Sequence, residues 1–544
     1  MAGYVKQVYS GFAVMSGWLA SQMCSHPARS REQKQAMKRR TVLKGIGGAI
    51  AAATVQPKRS LAELASSPPN VVFVIADQWR AQALGCMGNA DIRTPNLDKL
   101  ASEGVLMRHT FANTPVCCPA RSCMLTGNYV SKTGMVANDL RLRESEITLG
   151  DLFSKAGYST GYIGKWHLDG GPRLPGFVPP GRRRHGFQHW AANECNHNYF
   201  YNWYFRDDNV PIVKEEYEPE MWTRLAIEFL YESQDKPFFL TVSYAAPHDP
   251  YVAPEKYMKM YDAEKLKMRE NWVEDVPHGE RKDIAGYYAG CTAIDDQLGL
   301  LFRAIEELGL KDNTIVMFTS DHGDMLGSQG MILKRKPWEE SIRVPGIIRY
   351  PRRIPAGRES DALFSQVDYA ATLLGLCGLP VPGSMQGTDQ SEVLTGAKSS
   401  GPEAVHFQIF GPYEHSKLKA GWRGIRTEQY MYARWQKGAW LLYDLKQDPY
   451  EMRNLVSDPA YSSVKDDLDT RLQKWMQEIG DSWEMNWTFP IEDGPELWSY
   501  KTFYTVPEYL EWAKRNPNLA PGVEEWLTKH PSDPEDWVAV HGSS

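Results

Sequence analysis

The sequence predicts an α/β fold, with a large, mostly parallel central sheet and a smaller α+β unit at the C-terminal end. Three observations predict it. Short apolar runs rich in β-branched and aromatic residues recur along the chain, longer segments with helical periodicity separate them, and Gly and Pro punctuate the joins. The first run is VVFVIA, Val71 to Ala76. STGYI follows at Ser159 to Ile163, FFLTVS at Phe238 to Ser243 and TIVMF at Thr314 to Phe318. Nearly continuous hydrophobicity marks strands covered on both faces, so these four are read as buried neighbours in one sheet. Before the last of them, Ile284, Tyr288, Cys291, Ile294, Leu298, Leu301, Ile305 and Leu308 step by three and four, the spacing of an amphipathic helix. A Leu-rich segment at Tyr369 to Leu376 and then Pro380 and Pro382 close this region, and the Gly/Ser-rich stretch at Ala397 to Gly401 marks a boundary. Beyond it, GWRGIRT and YMYARW read as strands and Val464 to Ile479 as an amphipathic helix.

The chain has 544 residues, which at roughly 100–200 residues per domain predicts two to four units. The expected division is residues 1–62 as an export signal with an upstream extension, 63–396 as the main domain, 397–486 as the C-terminal subdomain, and 487–544 as an extension carrying Trp498, Trp512, Trp526 and Trp537. Against 61 Lys+Arg stand 67 Asp+Glu, a net charge of −6, which disfavours a general nucleic-acid partner. No apolar run reaches about 18 residues, so no membrane-spanning segment is expected. Eight cysteines, at positions 24, 86, 117, 118, 123, 195, 291 and 377, show neither a disulfide framework nor zinc spacing. Arg39-Arg40, Lys44 and the short Gly/Ala stretch Gly45 to Ala53 look like a twin-arginine export signal, with cleavage expected near Ala51 to Ala53 or Ser60 to Ala62 and Met37 as the expected start; periplasmic or secreted location follows.

Function is read from position. Each of the four strands runs out into charged or metal-binding residues: Asp77-Gln78, then Lys165 and His167, then His248, then Asp321-His322. Ligands of open parallel sheets sit beyond the carboxyl ends of the strands, so the four clusters are expected to converge. Asp77, Gln78, Asp321 and His322 form a mostly hard donor set suited to Ca²⁺ or Mg²⁺, with the imidazole leaving Mn²⁺ open. Lys165, His167, His248 and Arg121 add positive or donor groups, so the ligand should be an anion such as a phosphate or sulfate group. Pro119 suits the first turn of a helix, placing Cys117 just before it, where free N–H groups favour an anion and a lowered thiol pKa.

Cys117-x-Pro119-Ala120-Arg121, closed by Thr126-Gly127, resembles the sulfatase signature C-x-P-[SA]-R-x₄-T-G. The resemblance runs from Asn70 to about Asn454 through DQWR at 77–80, TPNLDKLASEG at 94–104, GKWH at 164–167, PHDP at 247–250, SDHGDMLG at 320–327, Lys334 ahead of Glu339, and LYDLKQDPYEMRNL at 442–455. It implies an alkaline phosphatase-like α/β/α sandwich with a small antiparallel C-terminal sheet. It further implies that a formylglycine-generating enzyme oxidises Cys117 to formylglycine (3-oxoalanine), whose hydrate joins Asp77, Gln78, Asp321 and His322 at a divalent metal, Ca²⁺ or alternatively Mg²⁺ or Mn²⁺, and attacks sulfur. Arg121 would steady the hydrate, Lys165 and Lys334 would neutralise sulfate oxygens, His248 would protonate the leaving alcohol, and His167 would act as base in regenerating the aldehyde. Two features depart from the common pattern: Gln78 where a second Asp is usual, and His322 where Asn is usual. Both also look like the phosphonate monoester and phosphodiester hydrolases of the same superfamily, but the intact Lys165-Trp166-His167 favours sulfate. Arg182, Arg183 and Arg184, together with His197 in an aromatic-polar stretch, are read as substrate-binding residues for a sulfated polysaccharide or its oligosaccharides.

Overall fold

The structure, a computed structural model, describes residues 67–138, 140–170, 176–410 and 421–483. Pro68 to Trp483 belong to one compact unit. The readings of an export signal in 1–62 and of a Trp-containing extension in 487–544 lie outside the described residues.

The strands are β1 (Asn70–Ala76), β2 (Val105–Phe111), β3 (Ser159–Lys165), β4 (His189–Asn193), β5 (Asn202–Tyr204), β6 (Ile212–Lys214), β7 (Phe238–Ser243), β8 (Thr314–Ser320), β9 (Gly346–Arg349), β10 (Arg358–Ser365), β11 (Val405–Ile409), β12 (Trp422–Arg426), β13 (Tyr430–Trp435) and β14 (Gly438–Asp444). Eight of them form the main sheet in the order β10-β2-β9-β8-β1-β7-β3-β4. Only β9 runs against its neighbours, β2 and β8. The four strands expected from sequence are contiguous at its centre. Alternate residues of β1 enter different cores: Val71, Phe73 and Ile75 join one cluster, Val72, Val74 and Ala76 the other. Both faces are therefore covered, and each of these Val, Ile and Phe side chains contributes about 1.5–3 kcal/mol by leaving water.

Seven longer helices pack on these elements: α1 (Pro95–Ser102), α2 (Cys117–Thr126), α3 (Leu149–Lys155), α4 (Glu218–Ser233), α5 (Arg281–Glu307), α6 (Gln366–Cys377) and α7 (Ser462–Glu478). The helix read from Ile284 begins three residues earlier, because Glu280 and Asp283 form a capping box. The other described sheet of size is antiparallel, β11-β12-β13-β14. Its Phe407, Trp422 and Ile425 share a core with Val71 and Phe73 of the main sheet, so the exposed loop at 397–400 marks a change of sheet within one hydrophobic body.

Register places the strand ends together. Ala76 is level with Ser320, Ile75 with Ser243, and Ser243 with Gly164. Asp77, Asp321, Tyr244 and Lys165 therefore leave four adjacent strands at one level. Gly164 makes the last approach possible: a Cβ there would meet the Ser243 carbonyl oxygen at 1.8 Å.

Candidate active site

Asp77 and Asp321 leave neighbouring strands side by side, both with no exposed surface. Gln78 turns back in the left-handed region at φ 68°. Its N–H donates to Asp321 Oδ1 at 3.0 Å, and the Tyr287 hydroxyl of α5 donates to its carbonyl at 2.8 Å. Trp79 N–H donates to Ser320 Oγ at 2.8 Å, which closes the turn.

Opposite lies the start of α2. Cys117 is its first helical residue, rather than the residue before it as the sequence suggested; Val116 is the extended cap at φ −150°. The Cys118 N–H of the first turn is taken by Asn138 Oδ1 at 3.1 Å, so it is not offered to a ligand. Cys117 Sγ lies 3.2 Å from His322 Nε2 and 3.9 Å from Asp77 Oδ1, and it is hydrogen-bonded with His167. Burial alone would push its thiol up, but Lys334, Lys165 and His322 outweigh that and hold it well below the ordinary value. One turn on, Arg121 is 1% exposed and bridges both acids, Nη2 lying 3.0 Å from Asp321 and 3.3 Å from Asp77. Its Nη1 donates to the Lys165 carbonyl at 3.1 Å and Ser243 Oγ at 2.7 Å.

The remaining cations close the ring. Lys165 Nζ is 2.5 Å from Asp77 Oδ2 and 3.3 Å from His197 Nε2. Lys334 Nζ donates to Gln78 Oε1 at 2.8 Å and lies 2.5 Å from His248 Nε2. His248 Nδ1 faces Asp249 Oδ1 at 3.0 Å; burial lowers this imidazole's pKa, but the Asp249 charge reverses that and leaves it raised. Against burial, Lys165, His248 and Arg121 hold Asp77 well below the usual carboxylate range, whereas burial and the Asp77 charge leave Asp321 raised. Two carboxylates in one dry site are thus imperfectly neutralised by the protein's own cations.

That imbalance fits a divalent metal. Asp77, Cys117, Asp321 and His322 each offer a ligand atom, all within 4.8 Å of one another and all on buried residues. His322 is oriented to be a ligand, because its Nδ1 lies 3.0 Å from the Gly323 carbonyl, which fixes the proton there and leaves the Nε2 lone pair facing the acids. Gln78 is the least committed of the expected donors, since its Oε1 accepts from Lys334 and its Nε2 donates to Asp324 at 2.8 Å.

The structure also separates residues that the sequence grouped. His197 joins the site, its ring stacked 3.9 Å from that of His248. The basic triplet does not act as one patch. Arg182 is exposed and donates to the Glu144 carbonyl; Arg183 is ion-paired with Asp169; Arg184 is buried, bonded to Val178 and Asp207, and lies over the Trp190 ring. Sequence reasoning missed Asp249, Asp324 and Cys195, although PHDP and SDHGDMLG contain the first two. Cys195 Sγ lies 3.4 Å from His197 Nε2, and only its nearness to His197 in sequence could have pointed to it.

Comparison with known proteins agrees with this geometry. The sulfatase family profile matches residues 69–379, and that of the N-sulphoglucosamine sulphohydrolase C-terminal region matches 327–478. An ulvan-active sulfatase of Formosa agariphila is 39% identical over 427 residues, covering 76% of this chain and 82% of its own length. The crystal structure of the sulfatase-like yidJ from Bacteroides fragilis superposes with a TM-score of 0.71 at 29% identity, covering 80% of this chain and 99% of that one. A phosphonate monoester hydrolase of Agrobacterium radiobacter is more distant, with a TM-score of 0.63 at 25% identity, covering 80% and 100%. A signature cysteine set between paired acids and a ring of cations, on a sheet matched over most of its length, places the chain in the sulfatase family as a sulfuric ester hydrolase.

Proposed function

We propose that this protein removes sulfate from a sulfated polysaccharide or its oligosaccharides, with residue 117 as the nucleophilic position. The observation that carries the reading is the company Cys117 keeps: Asp77, Asp321 and His322 offer ligand atoms within 4.8 Å of one another and of its sulfur, and Lys165, Lys334, His167 and His248 crowd the same side chain. Substrate choice draws support from the ulvan-active relative. Export through a twin-arginine signal, as the first residues suggest, would bring the enzyme to a polymer too large to enter a cell.

Asp77, Asp321, His322 and the side chain at 117, with Gln78 as a further oxygen donor, are the groups that would hold the metal. Calcium or magnesium suits the carboxylates, and the imidazole admits manganese. Such an ion would supply Lewis acidity and lower the pKa of an attacking hydroxyl. Formylglycine, made from Cys117 by a formylglycine-generating enzyme, would supply that hydroxyl as its hydrate. The chain's own groups do the rest. Lys165 and Lys334 bind sulfate oxygens, each moving off its present partner, Asp77 or Gln78, as negative charge grows. Arg121 keeps Asp77 and Asp321 fixed against each other. His248 delivers a proton from Nε2 to the leaving alcohol oxygen, with Asp249 on Nδ1 favouring the charged ring. His167, beside the residue 117 side chain, takes the proton released there. The pair Lys165 and His167 favours sulfate over the phosphonate and phosphodiester chemistry of the more distant relatives.

The test is sulfate release, measured by ion chromatography, from a panel of sulfated glycans, with mass spectrometry of the peptide containing residue 117. Release accompanied by a formylglycine mass supports the proposal. Phosphodiester turnover exceeding turnover of every sulfate ester overturns it.

A further inference from the structure

Lys334 reaches the site from the loop between β8 and the short helical turn Glu339–Ile342. Its two neighbours stand in the left-handed region, Leu333 at φ 59° and Arg335 at φ 77°, as do Leu326 and Gln329 earlier in the same loop. That conformation crowds the Cβ of any side chain, so it persists only where the surroundings dictate it. A lysine mounted between two such residues therefore depends on whatever fixes them.

The fixing groups come from three places. Leu333 N–H donates to Asp324 Oδ1 at 2.9 Å, and the other oxygen of that carboxylate accepts from Gln78 Nε2 at 2.8 Å. One acid thus sets both the backbone beside Lys334 and the amide whose oxygen Lys334 holds. Arg335 N–H donates at 3.1 Å to the carbonyl of Pro115, two residues before Cys117. The Arg335 carbonyl is held from the other sheet: it accepts from the indole Nε1 of Trp422 at 2.9 Å. Trp422 opens β12, is level with Ile409 on one side and Trp435 on the other, and has no exposed surface. Its indole is a donor only, and a buried N–H of that kind needs an acceptor, which the Arg335 carbonyl provides. Gln329 adds a second tie to the C-terminal subdomain, its Nε2 donating to the carbonyls of Tyr450 at 2.9 Å and Glu451 at 3.0 Å.

A strand paired on both sides thus grips a strained turn at the residue after the lysine. We propose that Trp422 is a positioning residue for Lys334: through the Arg335 carbonyl, and with Gln329 as a second tie, the C-terminal subdomain holds the lysine ammonium beside Gln78 Oε1 and His248 Nε2. The inference rests on the reading of Lys334 as a ligand for the sulfate group, and it gives the C-terminal subdomain a part in that chemistry. A preorganised cation acts only where charge develops, and a misplacement of about 1 Å can cost about a hundredfold in rate.

Trp422→Phe removes the indole N–H and keeps an aromatic ring in the core. Its kcat/KM should fall about tenfold, and a double-mutant cycle with Lys334→Ala separates that fall from general loosening. In Lys334→Ala, adding Trp422→Phe should cost less than about twofold, because the lysine it positions is already gone. Trp475→Phe, the same exchange elsewhere in the same core, should stay within about twofold of wild type. Equal falls from Trp422→Phe with and without Lys334 overturn the proposal and leave the indole a packing group; wild-type kcat/KM in Trp422→Phe overturns it too. If Trp422→Phe does not fold, Gln329→Ala enters the same cycle, with a fall of about threefold expected where Lys334 is present and none where it is absent. Equal falls there overturn the proposal as well. The cycle is run on whichever ester the enzyme turns over, sulfate or phosphodiester, and on calorimetric binding of inorganic sulfate where it turns over neither. A preference for phosphodiesters would overturn the substrate reading and leave the positioning of Lys334 to be decided by the cycle alone. A Lys334→Ala variant equal to wild type would remove the lysine from the chemistry, and this proposal with it.

Discussion

Two buried charge networks lie in this molecule, and they are balanced differently. Where the small sheet meets the main one, Arg423 forks onto Asp481 while also donating to the carbonyls of Ile409 and Trp422. Beside it, Arg426 and Arg343 hold Glu339 at 2.9 Å and 3.2 Å. Each acid in those pairs has its own cation. Around Cys117, Arg121 must serve both Asp77 and Asp321, and Lys165 and Lys334 rest on Asp77 and Gln78. The first network pairs Asp481 and Glu339 with cations of the chain itself and stabilises the join. The second leaves two acids sharing one guanidinium, the imbalance that the proposed metal and sulfate group would complete.

The comparison breaks most sharply at Cys117. Cys117→Ala should lower sulfate release by at least about ten-thousand-fold while leaving the thermal midpoint near that of wild type. A variant that keeps measurable turnover would remove residue 117 from the chemistry. Chelation of the active enzyme should likewise abolish turnover, with recovery on adding Ca²⁺ or another divalent ion; activity that survives chelation would point to a thiol enzyme instead. Arg423→Ala should show the reverse pattern, a loss of about 3–5 kcal/mol in denaturant unfolding with ordinary kcat per folded molecule, because it strands Asp481. Lys334→Ala should raise the barrier by about 2.7–4 kcal/mol, read as a fall in kcat/KM, with little change in unfolding.

How much of this was legible in sequence follows from the same contrast. The central strands β1, β3, β7 and β8 announce themselves because burial on both faces demands continuous apolar runs. β2 and β10 did not, since VLMRHTF and RESDALFS carry charges where the sheet nears its edge. The candidate site residues follow strand ends that are in register, so type and position together were enough to expect Asp77, Lys165, His248 and Asp321 at one place. Arg182 to Arg184 misled because a run of like charges says nothing about where each side chain turns: Arg184 turns inward to Val178 and Asp207.

The last difference between the networks is in pH. Burial alone would raise the Glu339 carboxyl, but Arg426 and Arg343 bring it down to about 2. An acid whose folded pKa is depressed binds fewer protons in the native state than in the unfolded chain wherever pH lies between the two values. Its stabilisation is therefore present above the unfolded value near 4.5 and is lost as pH falls toward about 2. Glu339→Gln should flatten that acid limb and lower stability at neutral pH by about 1–3 kcal/mol, the cost of leaving the two guanidinium groups without their shared charge. Urea unfolding of both proteins from neutral pH down to acid measures it. Parallel stability curves would mean that Glu339 carries no native charge, and that the join between the sheets is held by its apolar contacts instead.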